Sequence, residues 1–506
     1  MKRDILISQD ANEVQIAILE DGRLEEFYIE RADANRFFGN IYKGKVKTVI
    51  PGMGASFVDL ATKKDGFLYV TDALKSPMDL EAEFDEQAPP QEEKEKKEER
   101  RRERFKRIED VLKVGQEVIV QVVKEPIGNK GPRLTTHFSI PARYLVMMPG
   151  ESKVGVSRRI EDRAERERIR SIFKEIEIPK GVGFIVRTAG EGKGAKEFTR
   201  DIRYLIRLWK KIHGSISQKK APSLIHQELD LVERIIRDHL VEETDRIVID
   251  NKDYFRKVER FVQLYLPGQQ IDLTLYQERM PLFEKYAIEK EIERTFAKNV
   301  YLKSGGYIVI EQTEGLVAID VNTGKFVGTK NLEETVYKTN MEAAWEVARQ
   351  LRLRDMGGII IIDFIDMEYA EHRRNLFRTF KDAVRRDRAK TNILKMSELG
   401  LVEMTRQRIR ASLESAVYNT CNYCEGKGIV KSPTTMAIQT VREIRKSLGH
   451  SQGRTINAYV HPLVSERLLH QEKKVIELLE RQNRSRIFVY PDTSLHIEDV
   501  NITFVK

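Results

Sequence analysis

The first part of the chain alternates apolar and polar residues with the period of two that half-buried β-strands require. Alternation through residues 4–29, broken by Asp21-Gly22, predicts an N-terminal β-hairpin. After Gly39, short alternating runs and closely spaced glycines predict a small antiparallel barrel, and the run at 114–123 supplies its closing strand. The chain therefore begins as β-structure.

Beyond residue 137 the pattern mixes helical and strand periods, which predicts several α+β domains. Residues 305–324 predict a hairpin turning at Glu314-Gly315, and an amphipathic helix is predicted over 333–355. The unbroken apolar run 357–362 is typical of a central strand buried on both faces. With 506 residues, the chain is long enough for about three domains.

Composition and charge narrow the class of protein. Two cysteines in 506 residues and no apolar leader at the N-terminus predict a cytoplasmic protein without disulfides, and no apolar run is long enough for a membrane span. The net charge of +9 suggests a polyanion as partner. Residues Glu92–Arg104 are charged at every position, which predicts a solvated arm inserted in the barrel, with RNA contact as the alternative.

Two predicted strands end in aspartates. One ends at Asp320, with Asn322 on the same face, and the next ends at Asp363, with Asp366 three residues on. Consecutive strands usually pack as neighbours, so the two carboxylates should meet and require a hard cation, Mg²⁺ or Mn²⁺. Such a site can activate water beside a phosphodiester. The alternative is that these aspartates only cap the next element. His372, the nearest histidine, has no obvious partner for proton transfer.

Cys421 and Cys424 form one CxxC knuckle, followed by Gly426 and Gly428. Structural zinc takes four ligands, and one chain offers two thiolates, so the simplest completion is one zinc shared by two chains. A redox dithiol and a pair of ordinary cysteines are the alternatives.

Possible RNA contacts occur in the barrel and in the segment after it. Phe57 and Phe67 are strand residues near cations, an arrangement that suits single-stranded bases, although strand phenylalanines are often core residues instead. Arg187-Thr188 ends an apolar strand and offers a charged fork and a hydroxyl to a terminal phosphate, but the pair alone does not establish such a site. The basic residues selected in the barrel are Lys43, Lys45, Lys47, Lys124 and Lys130.

Taken together, these segments resemble the ribonuclease E/G family of bacterial endoribonucleases. The resemblance covers nearly the whole chain, in family order, and is carried by Phe57-Val-Asp59, Gly66-Phe-Leu68, Ile185–Gly190, Ala318–Asn322, Gly357–Asp366 and Cys421–Gly428. The sequence shows no long Arg- and Pro-rich C-terminal scaffold, and Val-Asn-Thr-Gly follows Asp320. Both features favour the ribonuclease G branch of the family.

The resemblance implies a Mg²⁺-dependent endoribonuclease that hydrolyses single-stranded, AU-rich RNA, leaves a 5′-phosphate and is stimulated by 5′-monophosphate ends. Its implied substrates are ribosomal RNA precursors and messenger RNA. Asp320 and Asp363 would bind the catalytic Mg²⁺, supported by Asn322. The other implied roles are 5′-phosphate binding by Arg187, Thr188 and Val146, RNA binding by Phe57, Phe67, Lys124 and Lys130, and a zinc shared between protomers on Cys421 and Cys424. Such enzymes assemble as homotetramers from zinc-linked dimers.

The implied fold is multidomain α+β, with an OB-type RNA-binding barrel inserted in a split RNase H-like unit. The implied domains are the RNase H-like unit (1–35 and 233–295), the barrel (36–136, with its charged insertion at about 78–108), a 5′-phosphate sensor (137–232), a DNase I-like α/β catalytic domain (296–416), a zinc link (417–431) and a small α/β domain (432–506).

A function of a different class is a non-catalytic RNA-binding or ribosome-associated factor that uses the barrel and a zinc-linked dimer. Binding alone has no need for two acids near a phosphate, because uncompensated carboxylates repel RNA. Asp320 and Asp363 therefore favour catalysis. Water is favoured over the ribose 2′-hydroxyl as nucleophile, because no histidine pair is placed to move protons.

Overall fold

The fold is available as a computed structural model and is multidomain α+β, as predicted. The structure describes residues 2–10, 12–31, 37–73, 107–126, 130–239, 246–265, 271–313, 315–324, 332–397, 399–407, 413–450 and 455–505. Glu92–Arg104 lies outside these residues, and so does most of the predicted insertion. The chain divides into two compact units, Met1–Leu413 and Glu414–Lys506.

The first unit contains a five-stranded sheet that joins the N-terminal strands to the middle of the chain. Across the sheet the strands are Asp272–Leu275, Arg246–Ile249, Arg3–Asp10, Glu13–Glu20 and Arg23–Arg31. Asp21 and Gly22 both adopt positive φ, which suits the predicted tight hairpin turn. The helices that pack on its two faces are Leu231–His239 and Lys252–Tyr265 on one, and Leu282–Lys285 and Glu289–Thr295 on the other.

The predicted barrel is closed and has five strands. In order they are Ile41–Ile50, Ala55–Asp59, Gly66–Tyr69, Arg133–Thr135 and Glu117–Lys124, and the last pairs with the first. The prediction of an antiparallel barrel is wrong at one seam, since the third and fourth strands run parallel because the chain crosses over between them. Ser223–His226 pairs with the first strand, and the short helices are Pro51–Met53, Val70–Ala73 and Ile108–Val111.

A four-stranded sheet follows the barrel. Its order is Val154–Val156, Val182–Val186, Leu145–Pro149 and Ile140–Pro141. One face packs on the helices Arg163–Glu175 and Ala195–Gln218 around a core that includes Phe184 and Phe198. A single 3₁₀ turn, Thr188–Gly190, leaves the second strand.

The next sheet has six strands and carries the two predicted aspartates. Its order is Asn299–Tyr301, Tyr307–Gln312, Leu316–Asn322, Gly358–Asp363, Leu401–Arg406 and Thr391–Ile393. The helices Leu332–Leu353 and Ala370–Val384 both pack on one face of it, in a single core. The predicted burial of the Gly358–Asp363 strand on both faces is wrong, because Ile359 on the other face is 53% exposed. We call this second side the open face.

The second unit is a small α/β domain, as its alternating pattern predicted. A three-stranded sheet in the order Arg486–Pro491, Thr455–Val460 and Val500–Val505 packs with the helices Pro433–His450, Pro462–His470 and Lys473–Asn483. The helix Leu413–Val417 stands at the boundary between the units. Among the residues that the structure describes, no helix is long and apolar enough to cross a bilayer.

A buried ion network anchors the end of the Leu401–Arg406 strand. The guanidinium of Arg406 is 4% exposed and donates to Asp387 Oδ2 at 2.7 Å and to Asp355 Oδ1 at 2.8 Å. These two carboxylates raise the pKa of Arg406 against the opposing effect of burial. Removing one partner of such a network leaves the other charges buried without compensation.

Replacing Arg406 with alanine should therefore lower the free energy of unfolding of the first unit by about 3 to 5 kcal/mol, since Asp387 would stay buried without its cation. The measurement is chemical denaturation followed by circular dichroism. Arg385→Ala is the control, because Arg385 is 63% exposed and should change stability by no more than about 0.5 kcal/mol. Equal losses in the two variants would show that the network does not stabilise the fold.

Candidate active site and RNA-binding surfaces

Asp320 and Asp363 are direct partners in neighbouring parallel strands. The register pairs five consecutive positions, from Leu316 with Ile359 to Asp320 with Asp363. Neighbouring strands lie about 4.8 Å apart, and paired residues project from the same face of a sheet. Both aspartates are exposed on the open face. The structure thus brings together the two residues that sequence analysis selected as metal ligands.

The electrostatics of the pair are those of crowded acids. Partial burial raises the pKa of Asp363, and the negative charges of Asp320 and Asp366 raise it further. Like charges at short range disfavour ionisation, and a bound cation reverses that effect. The pair is therefore poised to take up a cation.

Asn322 supports Asp320 from two residues further along the strand. Its Nδ2 donates a hydrogen bond of 2.8 Å to Asp320 Oδ2. The amide thereby orients the carboxylate without adding charge. This matches the supporting position that the family resemblance implies for Asn322.

Two polar side chains of the helix Leu332–Leu353 fix the segment that follows Asp363, and sequence analysis missed both. Asn340 is fully buried, and its side chain accepts from the Ile365 amide at 3.1 Å and donates to the Ile365 carbonyl at 2.7 Å. Glu333 accepts from the amide of Glu368 at 3.0 Å. A polar residue within the apolar stripe of a helix is the signal that could have identified Asn340.

His372 has a structural environment. Its Nδ1 lies 2.7 Å from Glu333 Oε1, and its ring stacks on Tyr337 with centroids 4.2 Å apart. These contacts hold the start of the helix Ala370–Val384 against the preceding helix. The expectation that His372 has no partner is therefore wrong, because Glu333 pairs with it.

A cavity of about 350 Å³ is lined in part by residues 364–367, the segment that directly follows Asp363. Its walls combine thioether and ring surface with the polar groups of Asp366, Arg373 and Ser397. The other lining residues are Phe364, Ile365, Met367, Met396 and Gly400. Apolar walls with a few convergent polar groups are typical of small-ligand sites.

The donor set at the aspartates suits Mg²⁺. In the parts of the chain that the structure describes, no group of three or more His, Cys, Asp or Glu side chains could hold a metal ion. Mg²⁺ often binds through only one or two carboxylates and keeps water or substrate phosphate in its other positions.

The barrel aligns three predicted RNA-binding residues in one row. Phe57 pairs with Phe67, Phe67 with Arg133, and Arg133 with Lys124 across four neighbouring strands. The two rings lie edge to face, with centroids 5.8 Å apart. Both phenylalanines are half-buried, because the residues that alternate with them, among them Val58 and Leu68, fill the barrel core. They are therefore surface aromatics and not core residues.

Arg133 is the member of this row that sequence analysis missed. Its guanidinium donates twice to Asp72 Oδ2, at 2.9 and 3.0 Å, and remains partly exposed. Lys130 is exposed on the connection that leads into the Arg133 strand. Of the other predicted cations, Lys43 pairs with Glu117 and Lys47 with Asp65.

The predicted sensor residues lie on the four-stranded sheet. Val146 pairs with Ile185, and the Arg187 amide donates to the Tyr144 carbonyl, so Val146 and Arg187 share one face. Thr188 is exposed on the 3₁₀ turn that follows. The structure therefore brings the three predicted sensor residues to one end of this sheet.

Arg187 already holds a carboxylate. Its Nη1 donates to Asp238 Oδ1 at 2.6 Å and to the Ala142 carbonyl at 2.8 Å. Asp238 also pairs with Arg237 at 3.1 Å, and these two cations hold the pKa of Asp238 well below its usual range against the effect of burial. The Asp238 carbonyl accepts from Arg388, which follows the helix Ala370–Val384. Arg187 is thus linked through Asp238 to Arg388, which lies next to the aspartate-bearing sheet.

Cys421 and Cys424 form a knuckle in the second unit. The turn between them and Gly428 passes through positive φ at Gly426 and Gly428, and the Gly428 amide donates to Cys424 Sγ at 3.3 Å. Backbone amides of Cys424 and Tyr423 lower the pKa of the Cys421 thiol. Amide donors aimed at sulfur favour thiolates, which are the form that binds metal.

His496 also contacts this knuckle, although sequence analysis did not select it. Its Nε2 lies 2.7 Å from the Tyr423 carbonyl, and the two rings have centroids 4.2 Å apart. The imidazole is therefore engaged with the backbone of the turn. Because it lies 72 residues beyond Cys424, no local spacing rule could have pointed to it.

Comparison with known proteins defines the family. The model of the ribonuclease E/G family matches residues 139–409, and the model described as its thioredoxin-like domain matches residues 420–505. Ribonuclease G of Escherichia coli (strain K12) is 40% identical over 501 residues, which cover 98% of this chain and 97% of that protein. Ribonuclease G of Haemophilus influenzae is 41% identical over 93% of this chain. Ribonuclease E of Escherichia coli (strain K12) is 35% identical, and the match covers 46% of it.

The family model and the relatives together define the class of protein as an RNA-cleaving enzyme. The chain belongs to the ribonuclease E/G family, as its motifs predicted. The predicted closer similarity to the ribonuclease G branch is also confirmed, since the match with ribonuclease G extends over nearly the full length of both proteins. Endoribonuclease is therefore its enzyme class, and the non-catalytic alternative is wrong.

Proposed function

We propose that this enzyme hydrolyses phosphodiester bonds in single-stranded RNA at the Asp320–Asp363 pair, with Mg²⁺ as the resident cation. The observation that carries the proposal is the parallel register that sets these acids side by side on the open face. When bound there, Mg²⁺ would supply charge neutralisation at the scissile phosphate and a more acidic water.

The residues around the pair have distinct tasks in this proposal. Asn322 keeps Asp320 in one orientation through its 2.8 Å hydrogen bond. Asn340 holds the Ile365 backbone and with it the segment that carries Asp366. The negative charge of Asp366 adds to the effects of burial and of Asp320 in raising the pKa of Asp363, and a nearby cation would oppose this shift by stabilising the ionised carboxylate. We take the 3′-oxygen of the upstream nucleotide as the leaving group, so that the upstream product ends in a 3′-hydroxyl and the downstream product keeps a 5′-phosphate, as the family resemblance implies.

The row Phe57–Phe67–Arg133–Lys124 supports single-stranded RNA as the substrate. Stacking on exposed rings requires unpaired bases, and the neighbouring cations hold the phosphates. Lys130 extends this cationic surface. We include AU-rich segments of ribosomal RNA precursors and messenger RNA in the cytoplasm as the substrates, because the family resemblance implies them.

We further propose that Arg187, Thr188 and Val146 bind a 5′-monophosphate. The hydrogen bonds that Arg187 makes with described residues all use Nη1, so Nε and Nη2 of its fork can face a phosphate. Thr188 offers an exposed hydroxyl at the adjacent turn. The half-buried Val146 would pack beside the terminal nucleotide.

The knuckle supports a zinc shared between two chains. Cys421 and Cys424 give two ligands, and tetrahedral structural zinc requires four. His496 is committed to the Tyr423 carbonyl, so a second knuckle from a partner chain is the simplest source of the other two. Zinc-linked dimers that associate further would give the homotetramer.

Replacing Asp363 with asparagine should abolish cleavage while changing RNA affinity by less than about threefold, because the cation loses a charged ligand but the barrel row is intact. Cleavage of one short RNA, in Mg²⁺ or in EDTA, is followed by analysis of the product ends, and affinity is measured by fluorescence anisotropy. Asp382→Asn is the matched control, since Asp382 is exposed on the helix that covers the opposite face. Cleavage that survives Asp363→Asn would refute the metal-site assignment.

Replacing Thr188 with alanine should reduce the preference for 5′-monophosphate over 5′-hydroxyl RNA by about tenfold, because one charge-assisted hydrogen bond is lost. Rates on the 5′-hydroxyl substrate should not change. Arg207→Gln removes an exposed charge from a neighbouring helix and serves as the control. If both substrates lose the same factor, Thr188 acts on the fold and not on the end group.

Replacing Cys421 with serine should convert tetramers to dimers, since the shared zinc would lose one thiolate from each chain. Sedimentation measures the mass, and a colorimetric zinc assay should fall to less than half of the wild-type content. Ser432→Ala, in the same unit, is the control. An unchanged mass would remove the idea that zinc links the chains.

A further inference from the structure

Two tyrosines lie side by side on the open face of the sheet that carries the aspartates. Tyr301 and Tyr307 are register partners in the first two strands, and their ring centroids are 6.0 Å apart. Tyr301 is 76% exposed, the highest value among the large aromatic side chains of the described residues. An aromatic side chain that exposed has an unusually large uncovered ring surface.

The strand register fixes where this pair lies relative to the catalytic acids. Tyr307 is the direct partner of Asn322, and Asn322 follows Asp320 by two residues on the same face. One strand spacing is about 4.8 Å and two residues along a strand span about 7 Å. The position of Tyr307 on the sheet therefore lies about one nucleotide step from that of Asp320.

The charges around the pair favour a nucleic acid strand. Lys303 is exposed in the hairpin loop that connects the two tyrosine-bearing strands. Glu311, which shares the open face, is neutralised by its ion pair with Lys298. A ring surface with an adjacent cation matches the way in which proteins hold single-stranded bases and their phosphates.

We propose that Tyr301 and Tyr307 form a stacking platform for one base of the RNA substrate, one or two nucleotides from the scissile phosphate. The inference rests on the proposed hydrolysis at Asp320 and Asp363. Because every base presents a stackable face, the platform would set the position of the strand and not its sequence. It would act together with the barrel row, which holds a more distant part of the strand.

A second copy of this chain is the other occupant that an open sheet face could have. The observations favour RNA, because the same face carries the two acids at which the substrate must arrive. A permanent protein partner over Tyr301 would also cover Asp320, only two strands away.

The test combines variants of the enzyme with abasic RNA. Tyr301→Ala should raise KM for a short single-stranded RNA about tenfold with kcat within about twofold, and Tyr301→Phe should restore the wild-type value. In the wild-type enzyme, removal of the base at one position near the cleaved bond should raise KM by a similar factor. In the Tyr301→Ala variant, removal of that same base should not raise KM any further. Removal of a base at any other position should change KM in this variant as it does in the wild type.

The control is Tyr490→Ala, which removes a 41% exposed tyrosine that also lies beside another tyrosine, Tyr459, in the second unit. Additive losses at every abasic position would overturn the platform, and so would a Tyr301→Ala variant with an altered sedimentation mass and unchanged KM. Measuring RNA affinity by anisotropy in the Asp363→Asn background separates the two proposals. If the platform exists, adding Tyr301→Ala to Asp363→Asn must still weaken RNA binding. Unchanged affinity in that background overturns the platform, whereas residual cleavage by Asp363→Asn alone counts against the metal site.

Discussion

The site depends on a strand register that forces two like charges together. The core side of the two strands buries Val317 and Ile319 against Ile360 and Ile362, and a slip of one residue would turn these side chains out to solvent. Burial of the four side chains contributes about 6 to 12 kcal/mol, whereas two carboxylates about 5 Å apart repel by about 1 to 4 kcal/mol in wet surroundings. The hydrophobic term therefore sets the register, and the repulsion between Asp320 and Asp363 is left for a cation to relieve.

Apolar packing also positions the polar residue Asn340, which supports the segment after Asp363. Helix Leu332–Leu353 covers one face of the sheet with apolar side chains, and from within that packing Asn340 reaches the backbone of Ile365. A buried amide that bonds both the backbone N–H and the backbone carbonyl of one residue fixes a loop at little cost, because these polar groups keep their partners. The core thus holds Asp320 and Asp363 in place while the opposite face of the sheet stays open.

Sequence analysis succeeded where the decisive signal is local. Alternation placed Asp320 and Asn322 on one face, and consecutive strands put Asp363 beside them. It failed on Ile359, because an apolar run cannot reveal whether one or both faces of a strand will be covered. It missed Arg133 for a different reason, since the row it completes is assembled by non-local pairing with a register shift at Val122.

The ion pairs around Arg187 show how one arginine can be held in place and still offer donors to the proposed 5′-phosphate. Arg187 holds Asp238 at 2.6 Å, and Asp238 is shared with Arg237, whose guanidinium is only 6% exposed. A phosphate that binds at Nε and Nη2 would leave the Nη1 contact with Asp238 in place, and Arg237 compensates the charge of Asp238 as well. The Asp238 carbonyl also accepts a hydrogen bond from Arg388, which lies between the helix Ala370–Val384 and the edge strand Thr391–Ile393 of the aspartate-bearing sheet.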